Sequence, residues 1–240
     1  MTDRDGIALR VITYNVHSQR DDLAALAAVV RELAPDVMLV QEAPRRLRWR
    51  TRCADLAHRF GLVHAGGGLP SLGNAVFTSY RVAVPETWAL RFPLTPGRHL
   101  RGAVLARCVV GRTPFVVAGS HLGTDPDERP GQAALIGKAM ADADAPVIFA
   151  GDLNETSGGA AWRTISDGLI DAAVATGRES AGTFPAAGPT RRMDAVFVDR
   201  SIGVRDYRVV DTPAARRASD HLPVVADLLL PTGWTSPAVP

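Results

Sequence analysis

Short apolar runs that end in polar residues recur along the chain, and they constrain its fold more than any other feature. The runs are rich in Val, Ile, Leu and Phe, and Gly, Pro, Asp or Asn bounds most of them, as is typical of β-strands. The predicted strands lie at residues 7–15, 36–41, 74–79, 103–110, 114–120, 146–151, 193–198, 203–210 and 222–230. We therefore expect large sheets.

Helical patterns separate only some of these strands. The predicted helices lie at 21–33, 44–60, 129–143 and near 160–167. The first is followed by Pro35, the second opens with a proline and closes at Gly61, and these are ordinary helix boundaries. Between residues 62 and 120 strand follows strand, so a simple Rossmann or barrel fold is not expected. The sequence predicts a mixed α/β protein.

The bulk composition fits one globular domain. A hydrophobic content of 46% and a charged content of 22% are ordinary values. No run is long enough to cross a bilayer and no secretory signal is evident, so we expect a cytoplasmic protein without membrane contact. Two cysteines without ligand spacing indicate neither a disulfide framework nor a zinc site. We expect a monomer with one domain at 1–230 and a surface or disordered tail at 231–240.

The formal charge of +2 is too small to indicate nucleic-acid binding by itself, but the arginines are unevenly placed. The segment 44–52 carries Arg45, Arg46, Arg48, Arg50 and Arg52. One interpretation is a basic surface that contacts successive backbone phosphates, with Trp49 available to stack on a base. The other is a solvated basic helix face. The glycine-rich stretch 65–73 has no GK[ST] and is expected to be a mobile loop rather than a P-loop.

Polar side chains cluster where the predicted strands begin or end. Each one alone is explained by a capping or turn role. Their repetition is more informative, because sheet edges of this kind are where functional sites are built. Asp152 and Asn154 also fall on one face of an extended chain, as a pair of oxygen-bearing side chains. The residues are Asn15, Glu42, His121, Asp152, Asn154, Asp194, Asp220 and His221.

A serine hydrolase is not expected from the "SDH" segment. Adjacent residues of an extended chain point to opposite faces, so Ser219, Asp220 and His221 cannot form a triad among themselves. The segment around Ser120 also lacks the G-x-S-x-G pattern.

The order of these segments resembles the endonuclease/exonuclease/phosphatase superfamily, whose fold is similar to that of pancreatic DNase. The resemblance extends from about Asn15 to His221. It implies a four-layer α/β sandwich, in which two mixed sheets pack face to face with helices outside. It also implies metal-dependent hydrolysis of phosphoesters. The segments that carry it are "QE" (41–42), "GDLN" (151–154), "MDAVFV" (193–198) and "SDHLPV" (219–224).

The resemblance implies a hard cation, Mg²⁺ or Mn²⁺, at Glu42. Asn15 and Asp220 would complete the surroundings of the metal with further oxygen atoms. Asp152 would orient or deprotonate the attacking water, and Asn154 would hold a phosphoryl oxygen.

The same resemblance assigns roles to two histidines. His221 would contact the phosphate, and Asp194 would fix its tautomer and raise its pKa, although acid, base and electrostatic clamp all remain open for His221. His121 would assist the leaving group or bind phosphate; the alternative is an ordinary hydrogen-bonded histidine at a strand end. Its carboxylate partner is unassigned, since Glu86 is the nearest candidate and has no local support.

Three further segments resemble shared parts of the superfamily. Arg101 could place its guanidinium on a phosphate, and Asn74 is expected near the substrate. The "TFP" segment at 183–185 is expected to shape a loop before the strand that carries Asp194.

The predicted function is a phosphodiesterase, an endonuclease or exonuclease, that acts on DNA or RNA as its phosphorylated partner. A phosphomonoesterase of a nucleotide, inositol or sugar phosphate is the alternative. A non-catalytic binding module is a remote alternative, because every expected polar position is filled.

Overall fold

The computed structural model describes residues 6–232, and this range contains twelve strands and six α-helices. The strands are β1 (Gly6–Asn15), β2 (Val37–Gln41), β3 (Val63–Gly68), β4 (Asn74–Thr78), β5 (Val82–Arg91), β6 (Gly102–Val110), β7 (Thr113–His121), β8 (Val147–Asp152), β9 (Ile170–Asp171), β10 (Asp194–Val198), β11 (Gly203–Val209) and β12 (Val224–Pro231). The helices are α1 (Leu23–Leu33), α2 (Trp49–Arg59), α3 (Arg129–Ala141), α4 (Ala160–Ser166), α5 (Ala172–Ala175) and α6 (Pro213–Ala218).

The strands form two mixed sheets of six strands each. The first sheet has the order β11-β12-β1-β2-β4-β3 and the second has the order β5-β6-β7-β8-β10-β9. In each sheet one central pair is parallel, β1 with β2 and β7 with β8, and the other neighbours are antiparallel. The two inner faces share one apolar core, to which Leu39 and Val104 contribute from opposite sheets.

Helices cover the outer face of each sheet. Leu26 of α1 and Leu56 of α2 pack with Phe77 of the first sheet, whereas Ile136 of α3 and Trp162 of α4 pack on the second. The result is the expected four-layer α/β sandwich, because each sheet buries one face against the other sheet and one face against helices.

The parallel pairs place the functional side chains together. The carboxyl ends of β1 and β2 lie side by side, with Asn15 paired to Gln41. In the second sheet Asp152 is the register partner of both His121 and Asp194. Strand ends from both sheets therefore meet at one edge of the sandwich, as expected for parallel neighbours.

Two predicted elements differ from the structure. The helix expected at 44–60 begins only at Trp49, because Arg48 has a left-handed backbone with φ of 57° that interrupts the helix. The glycine-rich stretch 65–73 is not simply a loop, since its first four residues belong to the edge strand β3. Gly68 there has φ of 88°, and a Cβ atom at this position would lie 2.6 Å from the ring of Trp49.

The C-terminal part of the chain differs from the prediction around Asp220. Asp220 and His221 do not open the last strand as predicted; they lie between α6 and β12. The predicted tail falls mostly outside the described residues, and its first residue, Pro231, ends β12. Within residues 6–232, no helix combines the length and the apolar character needed to cross a membrane.

Candidate active site

Asp152 lies at the centre of the meeting strand ends. It is the last residue of β8 and its side chain is 1% exposed. Its Oδ2 accepts a hydrogen bond of 3.0 Å from Nδ2 of Asn15, across the two sheets. Its Oδ1 accepts the backbone N–H of Asn154 at 2.9 Å. Because a carboxylate offers about four lone-pair positions, Asp152 keeps acceptor capacity for a further partner such as water.

His221 is held between two carboxylates. Its Nδ1 lies 2.9 Å from Oδ2 of Asp194, and its Nε2 lies 3.6 Å from Oδ2 of Asp152. Burial disfavours the charged ring, but the carboxylates of Asp194 and Asp152 outweigh it and raise the pKa of His221 to about 10. The ring is therefore an imidazolium at neutral pH, and the pairing with Asp194 that the sequence predicted is present.

Backbone and hydroxyl groups hold this pair in place. Oγ1 of Thr183 accepts the backbone N–H groups of Met193 and Asp194, and its carbonyl accepts the N–H of Leu222. The ring of Phe184 packs on His221 with centroids 4.7 Å apart. The "TFP" segment thus contacts both members of the pair, a role that its sequence alone did not reveal.

His121 contacts the other side of Asp152 and has a different partner. Its Nε2 lies 3.2 Å from Oδ2 of Asp152, and its Nδ1 lies 3.0 Å from Nη1 of Arg101. Burial lowers the pKa of His121 to about 3, with the positive charges of Arg101 and His221 acting in the same direction and Asp152 opposing them. The ring is neutral at physiological pH. Glu86, the carboxylate considered as its partner, instead lies 3.6 Å from Arg107.

Glu42 follows β2 and is held by a strained turn. Its own backbone is left-handed, with φ of 58°, and so are those of His17, Ser18 and Gln19 in the turn after β1. Oγ of Ser18 donates to Oε2 of Glu42 at 2.7 Å, and Nε2 of Gln19 donates to its carbonyl at 3.3 Å. Non-glycine residues in this conformation are uncommon and cluster at functional sites. Sequence reasoning missed the turn, because no glycine marks it.

A cavity of about 530 Å³ opens beside this cluster. Glu42 and Asp220 line it as carboxylates, and His121 connects it to Asp152. The arginines in its lining outnumber the carboxylates by five to two. These arginines are Arg20, Arg45, Arg46, Arg52 and Arg101.

The arginine-rich segment 44–52 divides between its two interpretations. Arg46 and Arg52 line the cavity and are exposed, whereas Arg48 and Arg50 do not line it. Arg50 instead lies over the ring of Trp49, 4.4 Å from its centroid. Part of the segment therefore faces the cavity and part is a solvated surface.

The remaining predicted side chains are also committed to protein contacts. Nδ2 of Asn154 donates to the carbonyl of Leu122 at 2.9 Å. Nδ2 of Asn74 donates to the carbonyls of Ser71 and Gly102 at 2.9 and 2.8 Å, and Asn74 does not line the cavity. Asn74 thus fixes the backbone beside Arg101, and a direct contact with substrate stays a prediction.

Two places in the described residues offer ligands for a cation. Asp152, Asp194 and His221 bring their ligand atoms within 4.8 Å of one another. This group already pairs two carboxylates with an imidazolium, which leaves no ring lone pair for a metal. Glu42 and Asp220 present oxygen ligands to the cavity and fit Mg²⁺ or Mn²⁺ better.

The chain is similar to known proteins in sequence profile and in fold. The sequence profile of the Endonuclease/Exonuclease/phosphatase family matches residues 12–221. No curated protein matches the chain in sequence. A solved endonuclease/exonuclease/phosphatase from Beutenbergia cavernae is 26% identical and has a TM-score of 0.73, with 97% of this chain and 73% of that chain covered.

Two further solved structures share the fold. A mannosyl-6-phosphatase from Bacteroides thetaiotaomicron is 20% identical with a TM-score of 0.76, covering 92% of this chain and 99% of that one. TDP2 of D. rerio, complexed with a single-strand DNA product, is 20% identical with a TM-score of 0.73, covering 92% and 98%. The same fold therefore carries a sugar-phosphate phosphatase and a protein that binds DNA.

Proposed function

Because the chain belongs to the endonuclease/exonuclease/phosphatase family, whose members hydrolyse phosphoester bonds, we propose that it is a metal-dependent phosphodiesterase acting on nucleic acid. The cationic cavity is the observation that carries the proposal. Five arginines face two carboxylates, and those carboxylates are the ones suited to bind the metal. Such an excess exceeds what a single phosphate requires and suits a chain of phosphates.

Glu42 and Asp220 would hold the metal, with Asn15 beside them. Mg²⁺ or Mn²⁺ supplies positive charge that stabilises the phosphoryl and leaving oxygens. Ser18 holds the carboxylate of Glu42 and Gln19 holds its backbone carbonyl, so the protein itself orients the side chain that would bind the metal. The first test is metal removal: hydrolysis should cease in excess EDTA and return with Mg²⁺ or Mn²⁺, and full hydrolysis in EDTA would contradict the proposal.

The buried cluster would act on the phosphate and the water. His221 carries hydrogen on Nε2 and donates it to a phosphoryl oxygen, as a charged clamp on the transition state. Asp152 uses its remaining lone pair to orient the attacking water. Asn154 has one amide hydrogen left after its bond to Leu122, and this hydrogen can reach a second phosphoryl oxygen.

A phosphomonoesterase is the second candidate, and the size of the cavity favours it. A volume of about 530 Å³ fits one sugar phosphate or nucleotide. A small monoester would need only the metal, the histidines and Arg101. Its affinity would depend weakly on salt and would be indifferent to Arg46 and Arg52.

A salt titration of substrate affinity separates the two functions. For a single-stranded oligonucleotide, each phosphate contact contributes a slope of about −0.7 in a plot of log affinity against log salt. The double variant Arg46→Gln/Arg52→Gln should flatten the slope by roughly two contacts and leave turnover at saturation nearly unchanged. The control Arg48→Gln/Arg50→Gln removes the same charge from the same segment outside the cavity. If the affinity of the wild type for the oligonucleotide did not change with salt, the nuclease function would be excluded.

A further inference from the structure

His121 has a cation on one side of its ring and a carboxylate on the other. Nη1 of Arg101 lies 3.0 Å from Nδ1, and Oδ2 of Asp152 lies 3.2 Å from Nε2. The ring is buried, with its side chain 6% exposed, so few other partners can reach it.

The chemistry of arginine fixes the direction of these contacts. A guanidinium has no acceptor and stays charged at any ordinary pH, so Arg101 can only donate. Nδ1 of His121 must then accept with its lone pair. The single ring hydrogen of the neutral imidazole is left on Nε2, where it faces the carboxylate of Asp152.

The backbone around Arg101 is built to hold this contact. The carbonyl of the next residue, Gly102, accepts hydrogen bonds from Nδ2 of Asn74 at 2.8 Å and from Oγ of Ser120 at 2.9 Å. Because Ser120 is the neighbour of His121, one carbonyl ties the strand that starts after Arg101 to the strand that ends in His121. The register of β6 with β7, in which Ala103 opposes Ser120, places the two side chains together.

We propose that Arg101 is a positioning residue that keeps Nδ1 of His121 unprotonated, so that His121 serves as a neutral N–H donor facing Asp152 and not as an acid for the leaving group. This assignment concerns the free protein. Its consequence for hydrolysis rests on the proposed function.

Arg101 can also bind an anionic ligand in the cavity. It lines the cavity, and its Nε is buried without a hydrogen-bond partner among the described residues. A buried donor without a partner is costly, and an anionic ligand would satisfy it. A substrate phosphate bound there would be linked through Arg101 and His121 to the carboxylate that orients the water.

The ring hydrogens can be observed directly by ¹⁵N NMR of histidine-labelled protein without metal or substrate. The two ring nitrogens of a neutral histidine have widely separated shifts, which reveal the one that carries the hydrogen. At about pH 7 the wild-type His121 should be neutral, with hydrogen on Nε2. A ring with hydrogen on Nδ1, or a charged ring, would overturn the proposal without any variant.

Two variants test whether Arg101 is the cause. Arg101→Met removes the cation that contacts Nδ1, while the carboxylate of Asp152 still attracts a proton to the ring. His121 should therefore take up a second proton, on Nδ1, at higher pH than in the wild type. Arg45→Met is the matched control, because it removes another cavity cation that also disfavours the charged ring but makes no hydrogen bond to it. If both variants shift the titration of His121 equally, general electrostatics accounts for the effect and the positioning role is wrong.

Burial and four charged groups near the ring determine the pH at which His121 is protonated. Burial disfavours its protonation most, Asp152 favours it, and Arg101, His221 and Arg45 disfavour it. None of these measurements requires hydrolysis. A protein without activity on any phosphodiester would disprove the proposed function and leave the assignment of His121 standing.

Discussion

His121 and His221 flank the same carboxylate oxygen and are both buried, yet the first ring is neutral and the second is charged at neutral pH. Their Nε2 atoms lie 3.2 and 3.6 Å from Oδ2 of Asp152. They differ in the group at Nδ1, which is Arg101 for one ring and Asp194 for the other. The pKa of His121 is lowered to about 3 and that of His221 is raised to about 10. Burial disfavours the charged form of both rings, and the group at Nδ1 makes the difference, because Asp194 favours the charge of His221 whereas Arg101 opposes a charge on His121.

The largest expected effect is the loss of the charged ring. His221→Ala should reduce kcat about 10³-fold, because it removes a preorganised donor to the developing phosphoryl charge. Steady-state kinetics on the oligonucleotide substrate measures this, with His58→Ala on the exposed face of α2 as a control. Near-wild-type turnover in His221→Ala would show that the charged ring of His221 does not stabilise the transition state.

The orienting carboxylate should matter less than the ring. Asp194→Asn keeps an oxygen that can accept from Nδ1 but loses the negative charge, so kcat should fall about 10–100-fold. The charge of His221 should also be lost at lower pH, since its strongest attractive partner has been neutralised. The control is Asp199→Asn, at the other end of β10. A decrease as large as that of His221→Ala would show that the charge of Asp194, rather than the imidazolium, dominates.

The neutral ring should tolerate an uncharged substitute. In His121→Gln the amide nitrogen reaches the position of Nε2 and still donates towards Asp152, so kcat should stay within about 10-fold of the wild type. In His121→Asn the amide reaches only the position of Nδ1, and turnover should fall further. Equal losses in the two variants would favour an acid role for His121.

The smallest effect concerns stability at alkaline pH. The pKa of His221 is higher in the folded protein than its usual 6.5, so its charge stabilises the fold fully below about pH 6.5 and this contribution is lost as pH rises through about 10. Urea unfolding should show a decreasing free energy of unfolding over this range, and His221→Gln should flatten the decrease. An unchanged slope in the variant would place the titrating group elsewhere. His121 acts oppositely and contributes nothing to the slope there.

The sequence predicted the parts of the site that sit at strand ends. Asp152 ends and Asp194 begins a strand that is a short continuous apolar run, so their positions could be predicted from the pattern. His221 was predicted at the start of the last strand, but it lies between α6 and β12, and α6 was not predicted. The sandwich itself was confirmed. The failed β-α alternation predicted only that a sheet is mixed, and the resemblance to the family implied two such sheets packed face to face.

What the sequence did not reveal depends on register and backbone conformation. The contact of Arg101 with His121 depends on the register in which β6 pairs with β7. The local sequence does not predict this register. The left-handed turn that includes Ser18 contains none of the glycines that normally mark such a conformation. β3 was missed for the opposite reason, since its three glycines are typical of loops.

The order of strands in the first sheet determines how late in synthesis the candidate site can form. β12 is the strand furthest along the described residues, and it lies between β1 and β11, so a strand synthesised after most of the sheet enters its interior. Ser219 then bonds to the carbonyl of Asn15, and Leu222 bonds to Thr183. A chain halted before Ser219 lacks both His221 and Asp220, so it cannot form the candidate site. The candidate site is therefore completed only after residues 219–221 have been synthesised and β12 has paired with β1.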